Sequence, residues 1–261
     1  VGRPAHDLSL LEDATRCLLD SVRPLQEEDL RRPSLLEGWS VAHVLTHLAR
    51  NADSHVRRLE AASRSEMVPQ YEGGRAARDA AIEEGARRPA VEILSDLEAA
   101  CARLDEVLSS LPERVWDAAL VEREHLPAPA STLPLARLME VEVHHVDLAF
   151  GYRPPDWPQA FVDRALPEVV ERLGRRFSGT GGAEVSWHLH RSDGPGEWTV
   201  RRSPQGTTVV SGHSRGDAAL RGPGWALLAW MLGRYPATTL GLELLGDAEL
   251  AASLPEVFPY G

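Results

Sequence analysis

At Gly151-Tyr152-Arg153-Pro154-Pro155-Asp156-Trp157-Pro158 the spacing of apolar residues along the chain changes period. Before this stretch they recur every three or four residues, the period of a helix that buries one stripe. After it, runs such as Glu184-Val185-Ser186-Trp187-His188-Leu189 alternate with period two, the pattern of a strand with one buried face. Prolines at 154, 155 and 158 and the glycine at 151 stop a helix from running through. A chain that switches period at such a break is neither a uniform bundle nor a uniform sheet. It predicts a mainly α protein, with a four-helix bundle over residues 1–155 and a smaller α+β domain over 156–261.

Within the first part, Leu8, Leu11, Ala14, Cys17, Leu18, Ser21 and Val22 keep helical spacing, which predicts a helix from Asp7 to Leu25. Ser40 is a good N-cap for a second helix that runs to about Ala62. Arg75–Gly85 reads as a short arginine-rich helix, Pro89–Leu111 as a long one, and Leu135–Phe150 as the last. Leu30–Gly38 and Met67–Gly74 read as loops. Trp116–Ala130 reads as irregular backbone, kept extended by Pro127 and Pro129. Beyond the break the expected elements are a helix at Gln159–Arg176 and strands at Ala183–His190, Trp198–Arg202 and Thr207–Gly212. A helix at Trp225–Leu232, a last strand at Leu240–Leu245 and a short helix from Asp247 complete the pass.

Charge narrows the function. The chain carries 28 basic against 39 acidic residues, a net charge of -11, and every basic side chain is arginine. Such a surface disfavours nucleic acid and anionic membrane as partners. Cys17 and Cys101 sit far apart within helical patterns and read as core thiols of a reducing compartment. With no leader-like opening and no run of membrane-span length, the expectation is a cytoplasmic protein.

The chemistry concentrates in Met139-Glu140-Val141-Glu142-Val143-His144-His145-Val146-Asp147. Residues four apart on a helix lie about 40° apart around the axis and ~6 Å along it. Glu140 and His144 therefore point the same way, close enough to share a metal ion. Carboxylate and imidazole together suit zinc, which at catalytic sites takes three protein ligands and keeps one position open. The same pair also fits a plain surface i,i+4 contact. A metal site needs a third ligand, and His47, beside the apolar stripe of the second helix, is the candidate.

The segment Leu35 through Asn51, containing G-W-x-x-x-H-x-x-x-H, followed by Glu140 through Leu148, containing E-x-x-x-H-x-x-D, resembles the mycothiol-dependent maleylpyruvate isomerase family. Tyr71–Gly85 and Trp225–Arg234 extend the resemblance over most of the chain. It implies a DinB-like four-helix bundle followed by an α+β domain, with zinc held by His47, Glu140 and His144. His43 would then be structural or support the ligands, and His145 would line the site or compete for metal. The family's catalytic arginine falls on Arg234, expected to reach the metal cleft. Asn51, Tyr71 and Arg78 lie in matching segments and are candidates for contacts to mycothiol. The absence of lysine, with abundant Ala, Gly and Pro, is what a GC-rich actinobacterial genome would produce.

The implied reaction suits these residues. A thiolate adds to an activated cis alkene, the resulting single bond rotates, and the thiolate leaves from the trans product. A free thiol has a pKa near 8.5 and is mostly protonated at neutral pH, so a zinc ion with an open position helps by binding sulfur as thiolate. The thiol would be mycothiol, as cosubstrate to a small electrophile. Arg234 would hold a carboxylate or stabilise enolate charge. The same apparatus would also serve a mycothiol S-transferase that leaves the thioether in place, or a non-catalytic bundle that binds metal or ligand. A DNA-linked role is disfavoured by the charge.

Overall fold

The computed structural model describes residues 2–121, 127–176 and 184–257. It divides into two compact units, Val1–Tyr152 and Arg153–Gly261.

The first unit is built of helices. α1 (Ala5–Val22) buries Leu11, Ala14, Leu18 and Val22, one stripe at spacings of three and four. Cys17 lies one residue off that stripe, about 100° around the axis. It is exposed, against the expectation of a core thiol, whereas Cys101 is buried. A short α2 (Glu27–Arg31) precedes α3 (Val41–Ser63), which packs on α4 (Gly74–Gly85) and on the long α5 (Ala90–Ser110). Gly38, at φ 76, makes the turn that brings Trp39 and Ser40 to the start of α3. The close approach of α4 to α3 requires Gly85, where a Cβ would stand 2.4 Å from Thr46 Cγ2.

The stretch read as irregular contains a small ladder instead. β1 (Ala119–Val121) pairs antiparallel with β2 (Pro127–Pro129), Leu120 opposite Ala128. Residues two apart on a strand turn their nitrogens the same way, so both prolines face away from β1 while Ala128 keeps the ladder. Residues 122–126 of this stretch lie outside the described residues.

α6 runs over Leu133–Asp147, shifted towards the N-terminus from the expected Leu135–Phe150. Pro134 fits in its first turn, where no intrahelical N–H is needed. Left-handed backbone at Ala149 (φ 59) and Gly151 (φ 92) ends it early. α6 packs against α1 and α3, and α1, α3, α5 and α6 form the four-helix bundle. The loop after α2 is tied to it by Leu35 N–H donating to the Asp147 carbonyl at 2.9 Å.

The second unit opens with α7 (Gln159–Arg176). The strands β3 (Val185–Arg191), β4 (Glu197–Ser203) and β5 (Gly206–Ser211) match the alternating runs, though Ala183, where the first was expected to begin, lies outside the described residues. A further strand, β6 (Ala218–Gly222), follows. Ala218-Ala219-Leu220-Arg221-Gly222 has neither alternation nor β-branched residues, and it is a strand because it pairs parallel with β3. After α8 (Gly224–Met231) and β7 (Glu243–Gly246) comes α9 (Ala248–Val257). The sheet order is β5-β4-β3-β6-β7.

Trp187, Leu189, Trp198, Val200, Ala218 and Leu220 form its buried apolar face. Helices cover that face: Trp187 Nε1 donates to the Leu250 carbonyl of α9, and α7 and α8 pack alongside. The opposite face carries Ser186, His188, His190, Glu197 and Thr199. Among the described residues no helix is long and apolar enough to cross a membrane.

Candidate metal centre

Glu140 and His144 face inward from one turn of α6, and His47 meets them from α3. Their donor atoms lie within 4.8 Å of one another. Glu140 Oε2 stands 2.9 Å from His47 Nε2 and 3.4 Å from His144 Nε2. The two imidazoles meet edge to face, ring centres 4.7 Å apart. Ligand atoms on a tetrahedral zinc with bonds of ~2.0–2.2 Å stand about 3.3 Å apart. The spacing and the His, His, Glu donor set fit one such ion, with a coordination position left over.

The electrostatics prepare two of the three ligands. Burial pushes the His47 pKa down to about 4, against the pull of the Glu140 hydrogen bond and charge. His47 is therefore neutral near pH 7, as a ligand must be. Burial opposes ionisation of Glu140, but hydrogen bonds from His144 and His47, and their charges, hold its carboxyl well below the usual range. Burial likewise opposes charge on His144, yet Asp147 and Glu140 outweigh it and raise that pKa, so His144 gives up a proton when it takes a metal. Asp147 is fully buried, and its Oδ2 lies 2.8 Å from His144 Nδ1. That contact fixes the ring and leaves Nε2 directed at Glu140, the arrangement that commonly orients a histidine ligand. The i,i+3 spacing of His144 and Asp147 was the available signal for this role.

Around the far side of His47, Arg78 of α4 places Nη2 3.2 Å from His47 Nδ1. Its guanidinium lies 5.7 Å from the Tyr71 ring centre and 5.9 Å from that of Trp39. Asn51, one turn beyond His47 on α3, accepts from Arg137 Nη1 at 2.7 Å through Oδ1. Among the described residues, Tyr71 Oη, Asn51 Nδ2 and Arg78 Nε are buried without a hydrogen-bond partner. Buried polar atoms of that kind call for a partner, which a water, an ion or a polar ligand can supply.

Two neighbouring histidines have other tasks. His43 Nδ1 accepts from the Ser40 N–H at 3.2 Å and closes a capping box at the start of α3. His145, about 100° around α6 from His144, points at α1, where its Nε2 is 2.7 Å from Ser21 Oγ, and it stacks on Tyr152. Neither stands in the ligand cluster. Arg234 belongs to the second unit, where its Nη1 donates to the Leu232 carbonyl at 2.8 Å.

No curated protein matches the chain. Among solved structures it is similar to the crystal structure of the mycothiol-dependent maleylpyruvate isomerase, with a TM-score of 0.73 and 21% identity over 89% of this chain and 90% of that one. The structure of a histidine-to-alanine mutant of that enzyme matches with the same figures. Residues 11–149 match the family model of the mycothiol maleylpyruvate isomerase N-terminal domain, and residues 156–253 match that of the MDMPI C-terminal domain. With a DinB-like four-helix bundle followed by a smaller α+β domain, the chain belongs to the mycothiol-dependent maleylpyruvate isomerase family.

Proposed function

We propose that this protein is a zinc- and mycothiol-dependent enzyme that isomerises maleylpyruvate, or a similar unsaturated acid, by reversible thiolate addition. The observation that carries the reading is the meeting of His47, Glu140 and His144 from two helices, with Asp147 behind His144. Zinc held by these three would supply a positive charge and an open position that keeps a thiol ionised at neutral pH.

The chain's own residues do the rest. Glu140 neutralises part of the metal's charge, and His47 and His144 contribute none. Asp147 holds the His144 ring in place. Arg78 donates to His47 Nδ1, so neutral His47 carries its proton on Nε2. Zinc at Nε2 would place that proton on Nδ1, and the Arg78 guanidinium, with Tyr71 Oη and Asn51 Nδ2, would then serve the polar groups of the thiol cosubstrate. Arg234 is assigned the substrate carboxylate on the strength of the family resemblance.

The deciding experiment incubates zinc-loaded protein with mycothiol and maleylpyruvate and follows products by mass and absorbance. The expected product is fumarylpyruvate with mycothiol regenerated and little turnover with glutathione. A persistent thioether, on this or another electrophile, would instead identify a mycothiol S-transferase. Turnover without any thiol, or full activity in a strong chelator, would overturn both readings.

A further inference from the structure

On the polar face of the sheet three histidines close on one carboxylate. His188 and His190 are two apart on β3, so both side chains leave the same face. Glu197 of β4 sits directly opposite His190, and Thr199 opposite His188. His213 follows β5, and the adjacent Gly212 N–H donates to the Glu197 carbonyl at 2.8 Å, fixing that segment beside β4.

All three rings approach the same oxygen. Glu197 Oε1 lies 2.9 Å from His190 Nδ1, 2.9 Å from His213 Nδ1 and 3.3 Å from His188 Nε2. A carboxylate oxygen has about two lone-pair sites, one fewer than three ring N–H donors would need. The ring centre of His188 is 6.3 Å from that of His190 and 5.3 Å from that of His213, so the imidazoles surround the oxygen without stacking face to face. The donor atoms of His188, His190 and Glu197 fall within 4.8 Å of one another. These separations bracket the spacing of about 3.3 Å that a tetrahedral zinc imposes. On the other side of His188, Thr199 Oγ1 lies 3.5 Å from Nδ1, leaving Nε2 to the cluster.

We propose that His188, His190 and Glu197 form a second metal site, for a borderline divalent transition ion and zinc foremost, with His213 at its edge against Glu197. Two imidazoles and one carboxylate are donors such ions prefer, and they are too nitrogen-rich for calcium or magnesium. Its ion ties β3 to β4. The proposal uses residues of the second unit alone and stands apart from the isomerase reading.

The test is a zinc titration by calorimetry on full-length, untagged protein stripped with chelator. The wild type is expected to bind two equivalents and the His47→Ala/His144→Ala variant one. Adding His188→Ala and His190→Ala to that variant should abolish the remaining isotherm. Glu197→Gln, nearly isosteric, guards against misfolding: it should weaken the second equivalent while the far-ultraviolet circular dichroism stays unchanged. No zinc bound by the His47→Ala/His144→Ala variant would overturn the site. So would an isotherm that survives loss of His188 and His190, or one that Glu197→Gln leaves unaltered.

Discussion

In the helical unit, Glu140 and His144 come from one turn of α6 and His47 from the neighbouring α3; in the sheet unit, His188 and His190 come from one strand and Glu197 from the next. Each cluster uses the repeat of its own element, four residues on the helix and two on the strand, and completes itself across a packed neighbour. Their surroundings differ. The His47 side chain is 1% exposed and Asp147 is fully buried, whereas the His213 side chain is 82% exposed. Similar donors in a recessed frame suit a centre with three ligands and a reactive position. On an open sheet face, where an ion would tie one strand to the next, they suit a clasp.

The strongest way to break this comparison is to remove a helical ligand. His47→Ala or His144→Ala should lower mycothiol-dependent turnover by about 10³-fold, the upper end of the scale expected when a group that stabilises the reacting charge is lost. Elemental analysis should show one metal equivalent fewer. Wild-type metal content in both variants would refute the helical centre.

Next in size is Arg234→Ala, expected to cut kcat/KM for maleylpyruvate by about 10²-fold with metal content unchanged. An active 1–158 fragment from limited proteolysis would remove Arg234 from the reaction altogether.

The groups behind the ligands sharpen the contrast. Asp147→Asn should weaken zinc binding at the helical centre by about 10- to 100-fold, as the loss of a partner that orients a histidine ligand does. Thr199 makes only a 3.5 Å contact with His188, so Thr199→Val should change binding at the sheet site less than about threefold. Titrating each variant with zinc separates the two, and equal effects would mean that both clusters are supported alike.

The smallest effect concerns the frame that holds His47. Asp96 of α5 accepts from Arg50 of α3 at 2.7 Å and from Arg88 at 2.6 Å. Burial alone would raise the Asp96 pKa, but the Arg88 hydrogen bond and the charges of Arg50 and Arg88 lower it below 3.8. A carboxylate with a lowered folded-state value contributes stability that is present above pH 3.8 and is lost as pH falls through that lower value. Asp96→Asn should therefore cost about 1–2 kcal/mol near pH 7, measured by urea denaturation. The difference from wild type should shrink as pH falls below 3.8. A constant difference across pH would show that packing, rather than charge, is what Asp96 contributes.

How much of this was legible depended on whether a pattern repeats locally. Leu11, Ala14, Leu18 and Val22 mark a helix because one buried stripe recurs within four turns, and Glu140 and His144 share a face for the same reason. Trp187 and Leu189 mark a strand through alternation. Cys17 departs from the expected core position because a residue next to a buried stripe has apolar chemistry but the wrong angle. β6 could not be read, since Ala218–Gly222 carries no strand pattern and is fixed by the neighbour it pairs with.

The sequence by itself determined the helical half, the break at 151–158, the alternating strands and the shared face of Glu140 and His144 on α6, all short-range consequences of backbone period and side-chain size. Only tertiary structure set His47 2.9 Å from Glu140, 93 residues away in the chain, and turned His145 towards Ser21. It alone folded β3 against β4 so that Glu197 faces His190, and brought His213 to the same oxygen. Those placements follow from which faces pack together. Packing minimises exposed apolar area over the whole unit, and no local run of residues encodes that sum.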